Sequence, residues 1–330
     1  MLKRKFVGVT VAVLLITTQM GCSSVSVIKK NETDVPSQQT SSQAGSVNNE
    51  SKDDAGDKSS DKGGQDRERV LIDEFNALVR NNAGISDIVA FMDENISFVS
   101  PENVSVMINW LEEAQKEYLP ILEEMINNSN AVKKNIEDEL GAGLDISKAD
   151  STADEELKKL LTDMRDKGFK FETAEGYFFP VINYEFYKKY SSFATEYIKD
   201  YIDIMAVESN NVPAKDAELL ISWDEVLTRA QSHESYIRKY GSSEKVDEVR
   251  QLYKKYVYFT LYGTDNTPLF SYDKKVMVPA AKTSYTSAEA KSEGSGFLEM
   301  LADYIEVLEK NGYKLTSEVE NFRKNALESM

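Results

Sequence analysis

The sequence predicts an all-α fold, a multi-helix bundle with one small β-hairpin near residues 169–181. Three observations lead to this prediction. After residue 70, apolar side chains recur every three or four positions through most of the chain, which is the spacing of one helix face. Capping residues and glycines divide this pattern into segments joined by short loops. Strands do not alternate with helices, so βαβ units are not predicted.

The helices before residue 168 are predicted from start and stop signals. Ser100 is a typical N-cap, Pro101 suits the first turn, and Glu102 lies near the positive end of the helix dipole. Gly84 and Gly168 are natural stops. Pro120 is expected to disturb the long helix that contains it. The predicted helices are 69–82, 85–98, 101–128, 131–140, and one that begins at 150 and ends before 168.

Aromatic residues dominate the middle of the chain. Apolar and polar residues alternate in residues 169–173, and aromatic residues follow a turn at Ala174-Glu175-Gly176. This pattern predicts the hairpin. After Pro180 the spacing predicts one long central helix that runs to about residue 210. Two strands alone are marginally stable, so the hairpin is expected to pack on helices.

The C-terminal third is also predicted to be helical. Ser222 and Glu225 form a capping-box pattern, and Gly241 and Gly263 end two successive segments. The predicted helices span 222–240, 243–262, 279–291, 296–311 and 316–329, with a loop at 264–275. The whole of 70–330 is predicted to be one helical domain, with subdomains at 70–145 and 150–330 as the alternative.

The charge is strongly acidic and unevenly distributed. The chain has 56 acidic and 39 basic residues and a net charge of −17. Residues 1–21 carry a charge of +3 and residues 22–69 carry −2, so residues 70–330 carry −18. A domain this negative repels phosphate backbones, and nucleic acid is therefore excluded as a predicted partner. Basic proteins, cationic peptides and divalent ions stay open as predicted partners. The alternative is that the acidic surface is simply solvated and binds none of them.

The first 22 residues carry an export signal. Residues 1–5 are basic, and residues 6–16 form an apolar stretch too short for a membrane span. The stretch ends at Gln19-Met20-Gly21-Cys22, and Cys22 is the sole cysteine. This resembles the signal peptide and lipobox of bacterial lipoproteins, although Gln19 departs from the usual aliphatic residue. The alternatives are an ordinary secretory signal and an uncleaved N-terminal anchor.

The lipoprotein resemblance implies a location and an anchor. In that family, diacylglycerol is attached to the cysteine thiol and the chain is cleaved before it, which implies lipidation at Cys22. Residues 1–21 are then a signal peptide, and the bilayer is a partner through the acylated cysteine. Residues 22–69 contain no Leu, Met, Phe, Tyr or Trp, so they are predicted to be a disordered tether that spans roughly 40 Å. The expected location is the outer face of a Gram-positive cell membrane.

Signals of catalysis are weak. His233 is the only histidine, and the sequence contains no G-x-S-x-G, G-x-G-x-x-G or phosphate-binding loop. We expect His233 to be a surface or partly buried residue on a helix, and no cofactor or metal site is predicted. The loop at 264–275 offers Asp265, Asn266 and Asp273 to calcium, but its spacing departs from the EF-hand pattern.

The tyrosines of the central stretch have two interpretations. Their helical spacing favours a packed core face, and exposed tyrosines in a groove would instead suit a carbohydrate or peptide ligand. Trp110 and Trp223 lie at helical spacing and are expected to be packing anchors. The candidate ligand-binding residues are Tyr184, Tyr187, Tyr190, Tyr197 and Tyr201.

The sequence supports three hypotheses for function. The part after the tether resembles uncharacterised lipoproteins of Gram-positive bacteria in residues 176–190 and 261–273, a resemblance that implies an envelope location without an activity. The leading hypothesis is a non-enzymatic, membrane-anchored module that binds an envelope protein. The second is a receptor for a small ligand or cell-wall fragment that uses an aromatic groove. The third is a hydrolase built on carboxylates.

Overall fold

The computed structural model of the protein describes residues 59–128, 145–174, 177–289 and 294–330, together with 134 and 136. Helices make up most of these residues, and the strands form two short antiparallel hairpins, which confirms the predicted all-α fold and its hairpin. Cys22, the signal peptide, most of the tether and most of the helix predicted at 131–140 lie outside the described residues. The helices are α1 (Ser59–Arg80), α2 (Ile85–Asn95), α3 (Pro101–Asn127), α4 (Glu155–Asp166), α5 (Lys188–Ser191), α6 (Glu196–Asn210), α7 (Trp223–Lys239), α8 (Val246–Tyr262), α9 (Pro279–Glu289), α10 (Gly296–Lys310) and α11 (Ser317–Glu328). The strands are β1 (Phe169–Ala174), β2 (Tyr177–Ile182), β3 (Ala214–Lys215) and β4 (Glu218–Leu219), and 3-10 turns cover Ile96–Phe98, Ile146–Ser151 and Tyr184–Tyr187.

The first helix begins earlier than predicted. Helix α1 starts at Ser59, ten residues before its predicted start at residue 69, so residues 59–69 of the predicted tether are helical. Contacts distant in sequence hold this polar stretch. The Glu68 carboxylate accepts hydrogen bonds from the Ser100 backbone at 2.8 Å and from Asn103 Nδ2 at 2.8 Å. The Arg67 guanidinium lies 3.4 Å from the centroid of the Phe98 ring. Composition alone does not reveal such partners.

Helix α3 is the longest described helix, and the hairpin and the central tyrosines pack against it. It begins after Ser100 as predicted and passes through Pro120, which is exposed, without ending. Just before β1, Gly168 has φ +78°, and a Cβ there would lie 2.5 Å from Gln115 Nε2 of α3. Only glycine fits this turn, which brings the hairpin against the helix. The β1–β2 register pairs Phe169 with Ile182.

The prediction of one long central helix is wrong. After β2 the chain makes the 3-10 turn Tyr184–Tyr187 and the short helix α5, and it breaks before α6. The break is held on α3, because the Ser105 hydroxyl accepts a hydrogen bond from Thr195 N at 3.0 Å and lies 2.7 Å from Thr195 Oγ1. The spacing of three residues between Tyr184, Tyr187 and Tyr190 persists through the 3-10 turn, so these rings still share a face.

Buried apolar side chains form two clusters. The first is built from residues 71–206, together with Tyr236 and Val249. It includes residues before and after 145–150, the boundary considered between two subdomains. The second is built from residues 219–319. Helices α7 and α8 contribute to both clusters. The helices of the C-terminal third begin and end within three residues of their predicted positions. Within the described part of the chain, no helix is both long and apolar enough to cross a bilayer.

Candidate functional site

The central tyrosines direct their hydroxyl groups onto polar residues of α2 and α3. Tyr184 and Tyr201 both donate to Glu112 Oε1, at 2.5 and 2.7 Å. Tyr187 donates to Gln115 Oε1, and Tyr190 donates to Asp93 Oδ1 at 2.7 Å. These four tyrosines are buried, and Tyr197 is half-buried beside the ring of Tyr240. Four of the five are therefore core residues with satisfied hydroxyls, Tyr197 packs against the core, and Tyr184 also lines an apolar pocket.

Glu112 is the centre of this arrangement. It is 1% exposed, and it also accepts a hydrogen bond from Lys245 Nζ at 2.5 Å. Lys116 Nζ lies 3.4 Å from Glu112 Oε1, the oxygen that also accepts from the two tyrosines. Burial alone would raise the pKa of Glu112, but the ammonium groups of Lys245 and Lys116 outweigh it and lower the pKa. The carboxylate is therefore held ionised inside the core.

The same carboxylate belongs to a cluster of three acids with the spacing of a metal site. Oxygen atoms of Glu112, Glu113 and Glu248 lie within 4.8 Å of one another. However, Lys116 Nζ already lies 3.4, 2.9 and 3.6 Å from these three carboxylates, and Lys245 contacts two of them. The cluster thus carries its own cations, and its chemistry does not call for a metal ion.

The loop considered for calcium is held by its own hydrogen bonds. Asn266 Nδ2 donates to the carbonyl of Asp216 at 2.6 Å, and the Tyr272 hydroxyl donates to the carbonyl of Asp265 at 2.7 Å. Gly263, with φ +74°, begins the turn. The Asn266 contact joins the loop to the β3–β4 hairpin, so these polar residues have a structural role.

A second buried network surrounds Glu208 of α6. Its Oε1 accepts hydrogen bonds from Arg229 Nη1 at 3.2 Å and Tyr256 at 2.5 Å, and its Oε2 lies 3.2 Å from Lys255 Nζ. Arg229 Nε also donates to Glu225 at 2.7 Å. The network joins α6, α7 and α8 at the junction of the two apolar clusters.

His233 belongs to this network, and its predicted position was wrong. It is 2% exposed, and its Nε2 lies 3.9 Å from Glu208 Oε1. Burial lowers the pKa of His233 to about 4, against a smaller opposing effect of Glu208. His233 lies one turn after Arg229 and shares the buried face of α7. The imidazole is neutral at pH 7.

Glu112 does not have the environment of a general acid. A catalytic acid needs a raised pKa and access to substrate. Glu112 has a lowered pKa and is enclosed by tyrosine and lysine donors. Glu208 is already paired with Arg229 and Lys255 and accepts a hydrogen bond from Tyr256. These surroundings give no support to the carboxylate hydrolase.

The two tryptophans have opposite environments. Trp223 is 7% exposed and packs edge-on against Tyr285, with ring centroids 6.1 Å apart, which confirms its predicted role as an anchor. Trp110 is 46% exposed, so the same prediction was wrong for it. The buried face of α3 includes Met107, Leu111 and Leu122, and Trp110 lies outside it. A signal was present in the sequence, since the apolar residues of α3 cover more of its circumference than one core face needs.

Trp110 lines the groove that is our candidate functional site. The groove holds about 640 Å³ between α3 and the junction of α1 with α2. Its lining is mainly apolar and includes Ile121 and the half-buried Tyr118. Asp87, Glu113 and Glu117 contribute carboxylates to its lining. Its full lining is Val79, Asn82, Ala83, Gly84, Ile85, Ser86, Asp87, Ile88, Trp110, Glu113, Ala114, Glu117, Tyr118, Ile121 and Lys167.

The lining of the groove is acidic on balance. Lys167, its only lysine or arginine among the described residues, lies 2.7 Å from Asp163 outside the groove and 5.3 Å from the centroid of the Tyr118 ring. Glu113 is paired with Lys116 at 2.9 Å. Glu117 forms no ion pair or hydrogen bond within the described part of the chain, so its charge faces solvent. The arrangement suits a ligand that brings apolar side chains together with positive charge.

Comparison with known protein families, with curated proteins and with solved structures gives no match to this chain. The lipoprotein resemblance of residues 1–22 and of residues 176–190 and 261–273 stays a prediction. Function is therefore inferred from the geometry of the described residues.

Proposed function

We propose that this chain is a lipid-anchored extracytoplasmic protein whose helical domain is a non-enzymatic binding module, and that it binds a basic envelope protein through α3. The observation that carries the proposal is the exposed apolar face of that helix. Four side chains define this α3 face: Val106, Trp110, Ile121 and Met125.

These four side chains form one surface. They are 44%, 46%, 53% and 53% exposed. Steps of four and eleven residues separate them, and eleven residues make about three helical turns, so all four lie on the same side of α3. Single exposed apolar residues are ordinary, but four large ones on one side of a helix, with carboxylates between them, favour an interaction surface. Trp and Met are also enriched at interfaces.

The charge around the α3 face defines the partner. Glu113 and Glu117 interrupt the apolar residues, Asp87 stands on the opposite wall, and residues 70–330 carry −18 overall. Such a surface attracts a cationic segment over several ångströms and repels anionic lipids. A second copy of this domain would bring the same negative charge and is disfavoured. The best fit is a protein segment with Lys or Arg beside large apolar side chains.

The predicted anchor suits this role. Acylation at Cys22 would hold the chain on the membrane, and the polar tether would let the helical domain reach partners near the surface. An interaction module that is concentrated at a surface gains effective concentration for partners in the same layer.

Replacing Cys22 with serine is expected to abolish lipid labelling and release the protein from the membrane, because serine offers no thiol for acylation. Growth with a clickable palmitate analogue, followed by fractionation, measures both effects. Ser24→Ala, two residues away, is the matched control and should keep the label and the membrane location. An unlabelled wild-type protein, or a labelled Cys22→Ser protein, would refute lipidation at this residue.

A photo-crosslinking residue at Val106 is expected to capture a basic protein in intact cells. Val207 is the matched control, because it is also a helical valine and is 46% exposed, on α6. The second change Trp110→Ala should reduce the Val106 adduct several-fold, since truncating a buried interface tryptophan typically costs about 2 kcal/mol or more. Raising the salt concentration before irradiation should reduce the adduct further.

Equal adducts from both positions would contradict a specific α3 face. An acidic captured protein would contradict the proposed chemistry of the partner. An adduct to lipid alone would indicate that the face lies on the membrane. In each case the proposed binding surface would have to be abandoned.

A second candidate function, reception of a small ligand, is favoured by one observation. An apolar pocket of about 500 Å³ lies beside Tyr184, away from the α3 groove. The aromatic-groove version of this hypothesis is not supported, because four of its five tyrosines are buried.

A further inference from the structure

The pocket beside Tyr184 is open to solvent and is lined by residues from several parts of the fold. Leu119 comes from α3, Val181 from β2, Met205 from α6, Val212 from the segment before β3, and Leu252 and Phe259 from α8. A volume of about 500 Å³ falls in the ordinary range of pockets for small molecules, about 300–1,000 Å³. The pocket is therefore large enough for a small ligand and is built from regular elements rather than from one loop.

The inner wall is held rigidly. The Tyr184 ring is fixed because its hydroxyl donates to Glu112, and it packs 5.7 Å from the Tyr187 ring. The β2 wall is paired residue by residue with β1. A preformed apolar wall binds a ligand without first losing the entropy of becoming ordered.

The Lys255 ammonium is the donor that this pocket offers to a ligand. Glu208 and Glu172 both line it, and both are already engaged by lysines, Lys255 at 3.2 Å and Lys215. Glu208 keeps Arg229 and Tyr256 as further partners. An ammonium group has three donors, and the Lys255 side chain is 39% exposed, with Glu208 as its one ion-pair partner among the described residues. Lys255 can therefore donate to a ligand without leaving Glu208.

We propose that this pocket binds a small amphiphile, a short apolar chain whose head accepts hydrogen bonds, with a carboxylate as the preferred head. The chain would lie against the apolar wall formed by Leu119, Met205, Leu252 and Phe259. The head would accept a hydrogen bond from Lys255. A cationic head is disfavoured, because both carboxylates in the pocket already have lysine partners. The proposal is independent of the α3 face and of lipidation.

The test uses the complete chain after the signal peptide, residues 22–330, carrying Cys22→Ser. Isothermal titration below the critical micelle concentration compares three probes of equal chain length: octanoate, octanol and octyltrimethylammonium. We expect saturable binding of one octanoate per protein, weaker binding of octanol, and at least tenfold weaker binding of the cation. Absence of saturable octanoate binding, or equal binding of the cation, would overturn the proposal.

Two pairs of variants locate the site. Ala214→Phe places a ring in the pocket and is expected to weaken octanoate binding at least tenfold. Its control, Leu220→Phe, lies on the same short hairpin segment, is exposed and lies outside the pocket, so it should bind normally. Lys255→Met should weaken octanoate binding about fivefold or more and leave octanol unchanged, whereas the exposed neighbour Lys254→Met should change neither.

Unaltered octanoate binding in Ala214→Phe would place the ligand elsewhere and refute the site. Circular dichroism and urea midpoints verify that each variant is folded. If Ala214→Phe does not fold, Val181→Phe places a ring in the pocket from β2 and decides the same question. Loss of octanol binding together with octanoate binding in Lys255→Met would refute the role given to its ammonium group.

Discussion

Replacing Lys245 with methionine is expected to destabilise the fold by about 3 kcal/mol. Lys245 is buried, and its ammonium group lies 2.5 Å from Glu112 Oε2. Methionine keeps most of the apolar stem but leaves Glu112 without its closest cation. Breaking a buried ion pair by removing one partner typically costs about 3–5 kcal/mol. We expect the lower end of this range, because Lys116 stays 3.4 Å from the carboxylate and two tyrosines still donate to it.

A double-mutant cycle separates the charge effect from the packing effect. In Lys245→Met with Glu112→Gln, no buried charge is left unpaired, so most of the lost free energy of unfolding should return. Lys199→Met is the matched control, because Lys199 pairs with Glu196 at 3.8 Å on the surface. Exposed pairs of this kind typically contribute less than about 1 kcal/mol. Urea denaturation measures the wild type and each variant.

A loss no larger than that of Lys199→Met would show that Glu112 is not held as an ion inside the core. A double variant that is less stable than Lys245→Met alone would show that packing rather than charge dominates. Either result would also weaken the structural role assigned to the central tyrosines, since two of them depend on the same ionised acceptor.

Signals from residues close together in the sequence were sufficient to predict most of the helices. Ser222 caps α7 by accepting a hydrogen bond from Glu225 N at 3.2 Å, as its sequence pattern predicts. Gly263 ends α8 with φ +74°, a conformation that favours glycine. The hairpin was predicted for the same reason, since alternation and turn residues act over a few positions. Structural features that depend only on residues close together in the chain can therefore be predicted from the sequence.

Features that depend on distant partners could not be predicted. The central helix breaks where Thr195 binds Ser105, ninety positions away in the chain. Glu112 is one of 56 acids, and nothing in its immediate sequence shows that Tyr184 and Tyr201 will donate to it. The sequence predicts that the tyrosines share a face, and the structure adds which residues accept hydrogen bonds from their hydroxyls.

The candidate sites illustrate the same distinction. Trp110 and Trp223 both lie at helical spacing, but one faces the groove and the other faces the second core. Whether each tryptophan is buried depends on which other helices cover its face, and this is a property of the whole bundle. The pocket beside Tyr184 is assembled from five parts of the chain, so no single stretch of sequence predicts it.

Lowering the pH from 7 to 5 is expected to destabilise the protein by about 2 kcal/mol through His233 alone. Burial lowers the pKa of His233 to about 4 in the folded state, below its ordinary value of 6.5. In the unfolded chain the imidazole binds a proton near pH 6.5, and in the folded chain it stays neutral. The stabilisation is therefore complete above about pH 6.5 and is lost progressively as the pH falls towards 4.

His233 is the only histidine in the chain, so its titration can be followed without interference from another imidazole. Between pH 7 and 5 no other side chain ordinarily titrates. His233→Phe is the appropriate variant, since a phenyl ring can keep the edge-on contact with Tyr256, whose centroid lies 5.0 Å away. His233 Nδ1 has no hydrogen-bond partner among the described residues, so the change removes no hydrogen bond at that atom.

Urea midpoints of the wild type and of His233→Phe, measured at half-unit steps from pH 7 to 5, test this expectation. The wild type should lose stability smoothly over the range, and the variant should stay nearly constant. A wild type that is flat over this range would show that the imidazole is solvated in the folded state. An equal decline in both proteins would assign the acid sensitivity to carboxylates rather than to His233.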